Sequence, residues 1–425
     1  MDDSTPRRNR LRGWWGIGAT VLVMLIVTLV LAWWWYQSTA DLVAVRAEAK
    51  TRSIPSTWAE SGQSLSPPDQ ITALERIFVL SSSLENYETK ALLSKAVPPP
   101  LRLKPFLPIP QEAYDHHASL DPLLLAEMLA LIDGLPWKPV VLHGERTVNT
   151  PHTSIDKSRQ VTRLLSERIL LAPREQLPTE VRRCLHFLSA LEQRSLVELL
   201  VLDSLLALAT ERIAVRLVDL KTGMPDLADL LDQMADSLDE YLITALMGEF
   251  LIANHSVDHL EEVRTGQGSS TTTWDHLTVG TMLRAGREPY LRRMIAWIEL
   301  TRRRLPSADV LMEVAKIRQE HQGLRSWMPD EILSKMFMGA LTTIMQSNVT
   351  VQLRLRMMAA ELRGNPWPID PFDPSGKTLR RFERDGQVMG AYTVYEDGVD
   401  HGGAKPKDRY FPLYGPLDPP VSTTP

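Results

Sequence analysis

Cysteine is almost missing from this chain: Cys184 alone stands in 425 residues. That excludes an internal disulfide and any all-cysteine metal site. Its setting, RRCLHFL, reads as a buried and inert thiol. Positive charge is not in excess, since 47 Lys and Arg face 52 Asp and Glu for a net charge of −5. No basic region with interleaved aromatics occurs, which argues against a general nucleic-acid binder. Catalytic motifs are also lacking. Gly376-Lys377-Thr378 imitates the end of a phosphate-binding loop, but Pro371 stands where the leading glycine belongs, and strand is expected after it. Nucleotide binding is therefore rejected. The Ser/Thr run at 269–273 has no Gly-x-Ser-x-Gly elbow around it, so nothing activates a nucleophile.

Long hydrophobic runs are absent too, with one exception. From Trp14 to Tyr36 no residue is charged, and Val21 to Ala32 is nearly all aliphatic. As helix this stretch spans about 34 Å, enough to cross a hydrocarbon core of ~30 Å. Trp14 and Trp15 bracket one end; Trp33, Trp34, Trp35 and Tyr36 bracket the other, as indole and phenol rings settle at headgroup level. Arg7, Arg8, Arg10 and Arg12 precede it, so the positive-inside rule keeps the first residues in the cytoplasm and sends the rest across. Ser38-Thr39-Ala40 offers a signal-peptidase site and Arg7-Arg8 a twin-arginine hint. The length of the apolar run and its tryptophan brackets favour a retained anchor. Only Thr20 and Thr28 are polar within it, so the span reads as a tether and not a relay.

The remaining chain sets the expected fold class: mainly α, with one N-terminal transmembrane helix, an exported multi-helix domain and a small C-terminal β-hairpin segment. The expected order is a cytoplasmic 1–12, the span at 13–36, a helix and proline-rich linker region at 37–119, and a helical exported domain at 120–364. A hairpin with an acidic loop follows at 365–403, then a proline-rich tail at 404–425. SIPSTWAESGQSLSPPDQ reads as a linker. VPPPLRLKPFLPIP, residues 97–110, reads as an extended spacer or strap. One or two long helices are expected between Pro173 and Thr222-Gly223. After Pro225, Leu227, Leu230, Leu231 and Met234 carry the helical i, i+3, i+4, i+7 spacing. Asp385-Gly386 suits the turn of a hairpin within TLRRFERDGQVMGAYTVY.

Two constellations carry metal chemistry on paper. His255, His259 and Glu262 fall within about 60° of one another on a helix, a set that can hold zinc. The general-base glutamate of His-Glu-x-x-His is missing, because Ser256 follows the first histidine. Phe250, Val257 and Leu260 mark the apolar face, so a solvated polar stripe explains the histidines better. Adjacent His116-His117 suit a polar loop or helix start. The second set is VYEDGVDHGG, residues 394–403, where Glu396, Asp397 and Asp400 supply carboxylates among three glycines. Asp370 or Asp373 could close the site. A turn closing a miniature sheet is the plainer reading; a calcium (Ca2+) loop is the sharper one. Its spacing is not that of an EF-hand.

Residues 370–403, DPFDPSGKTLRRFERDGQVMGAYTVYEDGVDHGG, resemble the C-terminal segment of type II secretion major pseudopilins. The shared features are an Asp-Pro-aromatic start, a short strand pair and a Gly/Asp-rich closing loop. The resemblance implies calcium held by that loop, with Asp397 and Asp400 on its acidic positions. The ending also resembles uncharacterised bacterial single-span membrane-anchored proteins with a helical exported region. The N-terminus lacks the prepilin cleavage pattern and its following glutamate, which sets this chain apart from a fibre subunit.

The expected function is a membrane-anchored envelope protein of the inner (plasma) membrane, its bulk periplasmic, with envelope proteins as partners and a scaffold role without catalysis. The alternatives are an anchored metal-dependent hydrolase using His255, His259 and Glu262, or an atypical secretion or pilus-like component. Asn254-His-Ser and Asn348-Val-Thr are glycosylation sequons only in a eukaryotic secretory setting.

Overall fold

The computed structural model describes Leu25, Leu29 and residues 40–62, 64–84, 109–142, 155–220, 225–256, 273–303, 329–384, 387–394, 399–400, 402 and 409–412. The expected span at 13–36 lies outside them, except that Leu25 and Leu29 are helical and exposed. Among the described residues no helix is long and apolar enough to cross a membrane.

The described chain is mainly helical. Helix α1 covers 40–51. Then come α2 (Pro68–Ser83), α3 (Gln111–Ala118), α4 (Pro122–Asp133), α5 (Ile155–Leu171), α6 (Leu177–Ser189), α7 (Leu196–Val215) and the single turn α8 (Leu217–Leu220). Three long helices follow: α9 (Pro225–Ser256), α10 (Thr273–Arg302) and α11 (Pro329–Arg363). A small sheet closes the chain with β1 (Arg380–Arg384), β2 (Gln387–Thr393) and β3 (Arg409–Pro412).

Local chemistry starts and stops these helices where polar side chains can replace the missing backbone partners. At α4 the Asp121 carboxylate accepts from the backbone N–H of Leu123 and Leu124, Pro122 takes the first turn, and Gly134 follows the end. At α7 the Ser195 hydroxyl accepts from Glu198 N–H, and the Glu198 carboxylate in turn accepts from Arg194 N–H at 2.9 Å. This is a capping box shifted by one residue at its return bond. The described residues from Pro173 to Leu220 form the two helices α6 and α7 and the single turn α8, with breaks at 190–195 and at Arg216. His116 and His117 lie inside α3.

Helices α9, α10 and α11 pack on one another, and α7 bridges them to α5 and α6. Leu227, Leu231 and Met234 are buried as their spacing requires, with Leu230 packed beside them. One hydrophobic core runs from Val45 on α1 to Phe411 on β3. The core thus crosses the expected boundaries at 120 and 364. The linker reading of residues 53–70 is corrected in the same way. Ile54 and Trp58 are buried, and the Trp58 ring lies under the Arg194 guanidinium at 4.2 Å. An aromatic and an isoleucine in a polar stretch give it something to bury, and burial outweighs the turn-forming residues around them.

The sheet is antiparallel in the order β1-β2-β3, and a bulge separates Phe382 from Glu383. Strands β1 and β2 form the expected hairpin, Arg384 pairing with Gln387 across residues 385–386. The proline-rich tail at 404–425 contributes a strand, β3, which pairs Tyr410 with Tyr392. Phe411 goes into the core, with the Arg354 guanidinium of α11 5.8 Å from its ring.

Candidate functional site

The densest charge constellation in the described chain gathers on Arg380, the first residue of β1. The connector ahead of it folds into two side-chain-closed turns, because aspartate can imitate a backbone acceptor two residues back. Asp370 accepts from Phe372 N–H at 3.0 Å, and Asp373 accepts from Ser375 N–H at 2.7 Å. Gly376 sits at φ +68, a conformation that L side chains resist, and closes the second turn. The Asp370 N–H donates to the Lys377 carbonyl at 2.8 Å, and Ile369 bridges to Thr378. That pinch sets both aspartates beside β1.

The Arg380 guanidinium spreads its nitrogens over them. Nε donates to Asp400 Oδ2 at 2.8 Å and Nη1 to Asp370 Oδ2 at 3.2 Å, while Nη2 pairs with Asp373 Oδ2. A planar fork of fixed donors suits this task in a way an ammonium does not. Each of the three carboxylates is held further. Asp370, wholly buried at its side chain, also accepts from the Thr393 hydroxyl at 2.6 Å and the Val394 N–H at 3.0 Å. Asp400 Oδ1 accepts from the Tyr392 hydroxyl at 3.1 Å and the Gly402 N–H at 2.9 Å. The Ser375 hydroxyl and N–H, with Arg380, hold the Asp373 carboxyl down at about 2. Gly402 N–H, Tyr392 and Arg380 hold Asp400 below the usual carboxylate range.

This geometry bears on the expected calcium set of Glu396, Asp397, Asp400 and Asp370. Calcium sites turn oxygens toward the ion. Here N–H and O–H groups turn toward Asp370 and Asp400, and a guanidinium supplies the positive charge. Glu396 and Asp397 lie outside the described residues. Arg380, which brings the acidic positions together, is the residue sequence reading missed. Its signal was two aspartates placed just before an arginine-bearing strand: buried carboxylates need a counter-charge.

The zinc set is placed only at its start. His255 is in the last turn of α9, while its side chain, His259 and Glu262 lie outside the described residues. The neighbouring Phe250 is buried, which fits the apolar face assigned to it. Among the described residues no group of His, Cys, Asp and Glu is arranged to hold a metal ion. Strand β1 follows Thr378, so the Gly-Lys-Thr triplet opens no helix. Cys184 is fully buried and its thiol is pushed up to about 12 by that burial.

A second polar cluster lies inside the helical body. Asn254 of α9 is buried; its Oδ1 accepts from Arg46 Nε of α1 at 2.9 Å and from Arg287 Nη2 of α10 at 3.3 Å. Its Nδ2 donates to the Ser56 carbonyl at 2.8 Å. Asn348 is buried too and donates to the Leu238 carbonyl at 3.4 Å. Both sequon asparagines are thus interior hydrogen-bonding residues in the folded chain. A third buried group, Asp203 of α7, faces Ser347 of α11 and Arg409 of β3, and burial raises its carboxyl well above the usual range.

No protein-family model, no curated protein and no solved structure matches this chain.

Proposed function

We propose that this chain is a membrane-anchored envelope protein whose helical body serves as a rigid binding platform without catalysis. The observation that carries the reading is the fastening of α1, whose described residues start four positions beyond the expected span. Val45 and Ala49 are buried in the core of the body. Arg46 is bonded through Asn254, Arg292 of α10 donates to Glu48 at 2.9 Å, and Arg302 donates to the carbonyls of Arg52 and Ser53. An enzyme on a tether gains reach from a loose linker; a platform gains from a fixed one. The C-terminal cluster supports the same reading, because its carboxylates are taken up by their own turns, by neighbouring hydroxyls and N–H groups, and by Arg380.

Membrane fractions from cells making the native chain test the anchor. Retention after alkaline carbonate, with residues beyond 40 open to protease only from the extracytoplasmic side, is the expected result. Release by carbonate, or protection from that side, overturns the proposal. Envelope proteins recovered with the chain from detergent-solubilised membranes would identify the partners.

A further inference from the structure

We infer that α3 is an acid-released flap: protonation of His117 drives it off the ends of α5 and α7 and bares Leu170 and Leu171, while the rest of the helical body stays folded. The inference is independent of the anchor, because it concerns contacts within the body alone.

Helix α3, QEAYDHHA, is held by little. Ala113 is its one wholly buried side chain among the described residues. It packs with Leu170 and Leu171 at the end of α5, and Ile109 and Val215 lie against them, in a small apolar cluster separate from the main core. Glu112, Tyr114 and Asp115 face solvent. An alanine methyl removes far less apolar area from water than the leucines that dock the other helices, so α3 opens at a lower cost than they do.

His117 stands four residues after Ala113 and shares its face of the helix. Its Nδ1 is buried and has no hydrogen-bond partner among the described residues. A neutral imidazole tolerates that setting. An imidazolium does not, because both nitrogens then donate and the charge has left water. The charges facing it are Arg168 of α5 and Glu180 of α6. Glu180 is already engaged: Arg168 Nε and Nη2 donate to its two oxygens at 2.7 Å each, and Arg183 Nη1 adds a bond at 3.1 Å. Asp133 answers Arg183 in turn. Past the end of α7, Arg216 donates to the carbonyls of Leu170 and Ala172 and pairs with Asp219. On α3 itself Asp115 is bonded to Gln111. The carboxylate that could answer a charged His117 is therefore tied to Arg168, whose own charge repels one.

Burial and Arg168 lower the docked imidazole to about 4 against Glu180, whereas a released helix carries an ordinary histidine at 6.5. The released form binds the proton first, so the balance tips toward release as pH falls from 6.5 to about 4.

Hydrogen exchange of the detergent-solubilised full chain, read by mass spectrometry and corrected for the intrinsic rate at each pH, compares the opening of 111–118 with that of α6 and α9. Protection of α3 should fall roughly thirty-fold from about pH 7.5 to about 5, with α6 and α9 unchanged. His117→Gln should lose that fall; where it does not fold, His117→Asn takes its place, and the unsubstituted chain decides release by itself. An α3 already unprotected at neutral pH, protection that stays constant, or protection lost in step with α6 and α9 overturns the flap. A fall that persists in the His117 variant overturns His117 as its trigger.

Discussion

Gly248 of α9 lies directly beneath the carbonyl of Arg194: a Cβ on it would stand 1.7 Å from that oxygen. The 190–195 turn and a long helix thus meet backbone to backbone, and the contact fixes where α7 starts. Glu249, next along α9, accepts from the Leu196 N–H at 3.0 Å and completes the cap of α7.

Gly248→Ala is therefore expected to destabilise the chain more than a helix-favouring substitution would suggest. Alanine gains up to about 1 kcal/mol of helix propensity, whereas overpacking against an immovable backbone costs about 1–3 kcal/mol or more. Denaturant unfolding of the detergent-solubilised full chain should show a lower midpoint. A raised midpoint would mean that the 190–195 turn yields.

Arg380→Ala leaves Asp370 and Asp373 without their cation. Removing one partner of a buried pair costs about 3–5 kcal/mol. Arg380→Lys should fall between, since one ammonium cannot reach Asp370, Asp373 and Asp400 together. The unfolding midpoint measures both. Added calcium should leave the midpoint of the unsubstituted chain where it was; a rise would support the metal reading of the acidic loop.

Asn254→Leu keeps the volume but removes the acceptor that Arg46 and Arg287 share and the donor to the Ser56 carbonyl. A loss of about 1–3 kcal/mol follows from leaving buried polar groups unmet. Limited trypsin digestion should then cut first at Arg46, Lys50 or Arg52, ahead of sites in α9–α11. An unchanged cleavage order would show that α1 is held by its apolar residues alone.

Acid should weaken the fold in two windows. Burial, with the Arg168 guanidinium nearby, lowers the His117 imidazole to about 4, against a Glu180 that opposes the shift. The folded chain then binds fewer protons than the unfolded one below the ordinary histidine value of 6.5, so stability falls from there down to about 4. Asp373 follows: its contribution is whole above 3.8 and is lost as pH drops to about 2. His117→Gln should flatten the upper window and leave the lower one. Unfolding midpoints of the chain and of His117→Gln across pH 2–8 check the sign: the penalty due to His117 should grow from 6.5 down to about 4, and a difference between the two that stays constant over that range would contradict it.

What the sequence by itself determined were the features set by neighbours along the chain. Helical spacing at Leu227, Leu231 and Met234, the burial of Cys184 and the hairpin around residues 385–386 follow from local periodicity and turn chemistry. Only the tertiary structure decided that Trp58 belongs under Arg194, that residues 409–412 complete the sheet, and that Arg380 answers Asp370, Asp373 and Asp400. Each of these joins groups that propensity treats as separate polar or proline-rich stretches. Their partners become visible once packing brings distant charges and rings into the same dry interior, where an unmatched one would be too costly to keep.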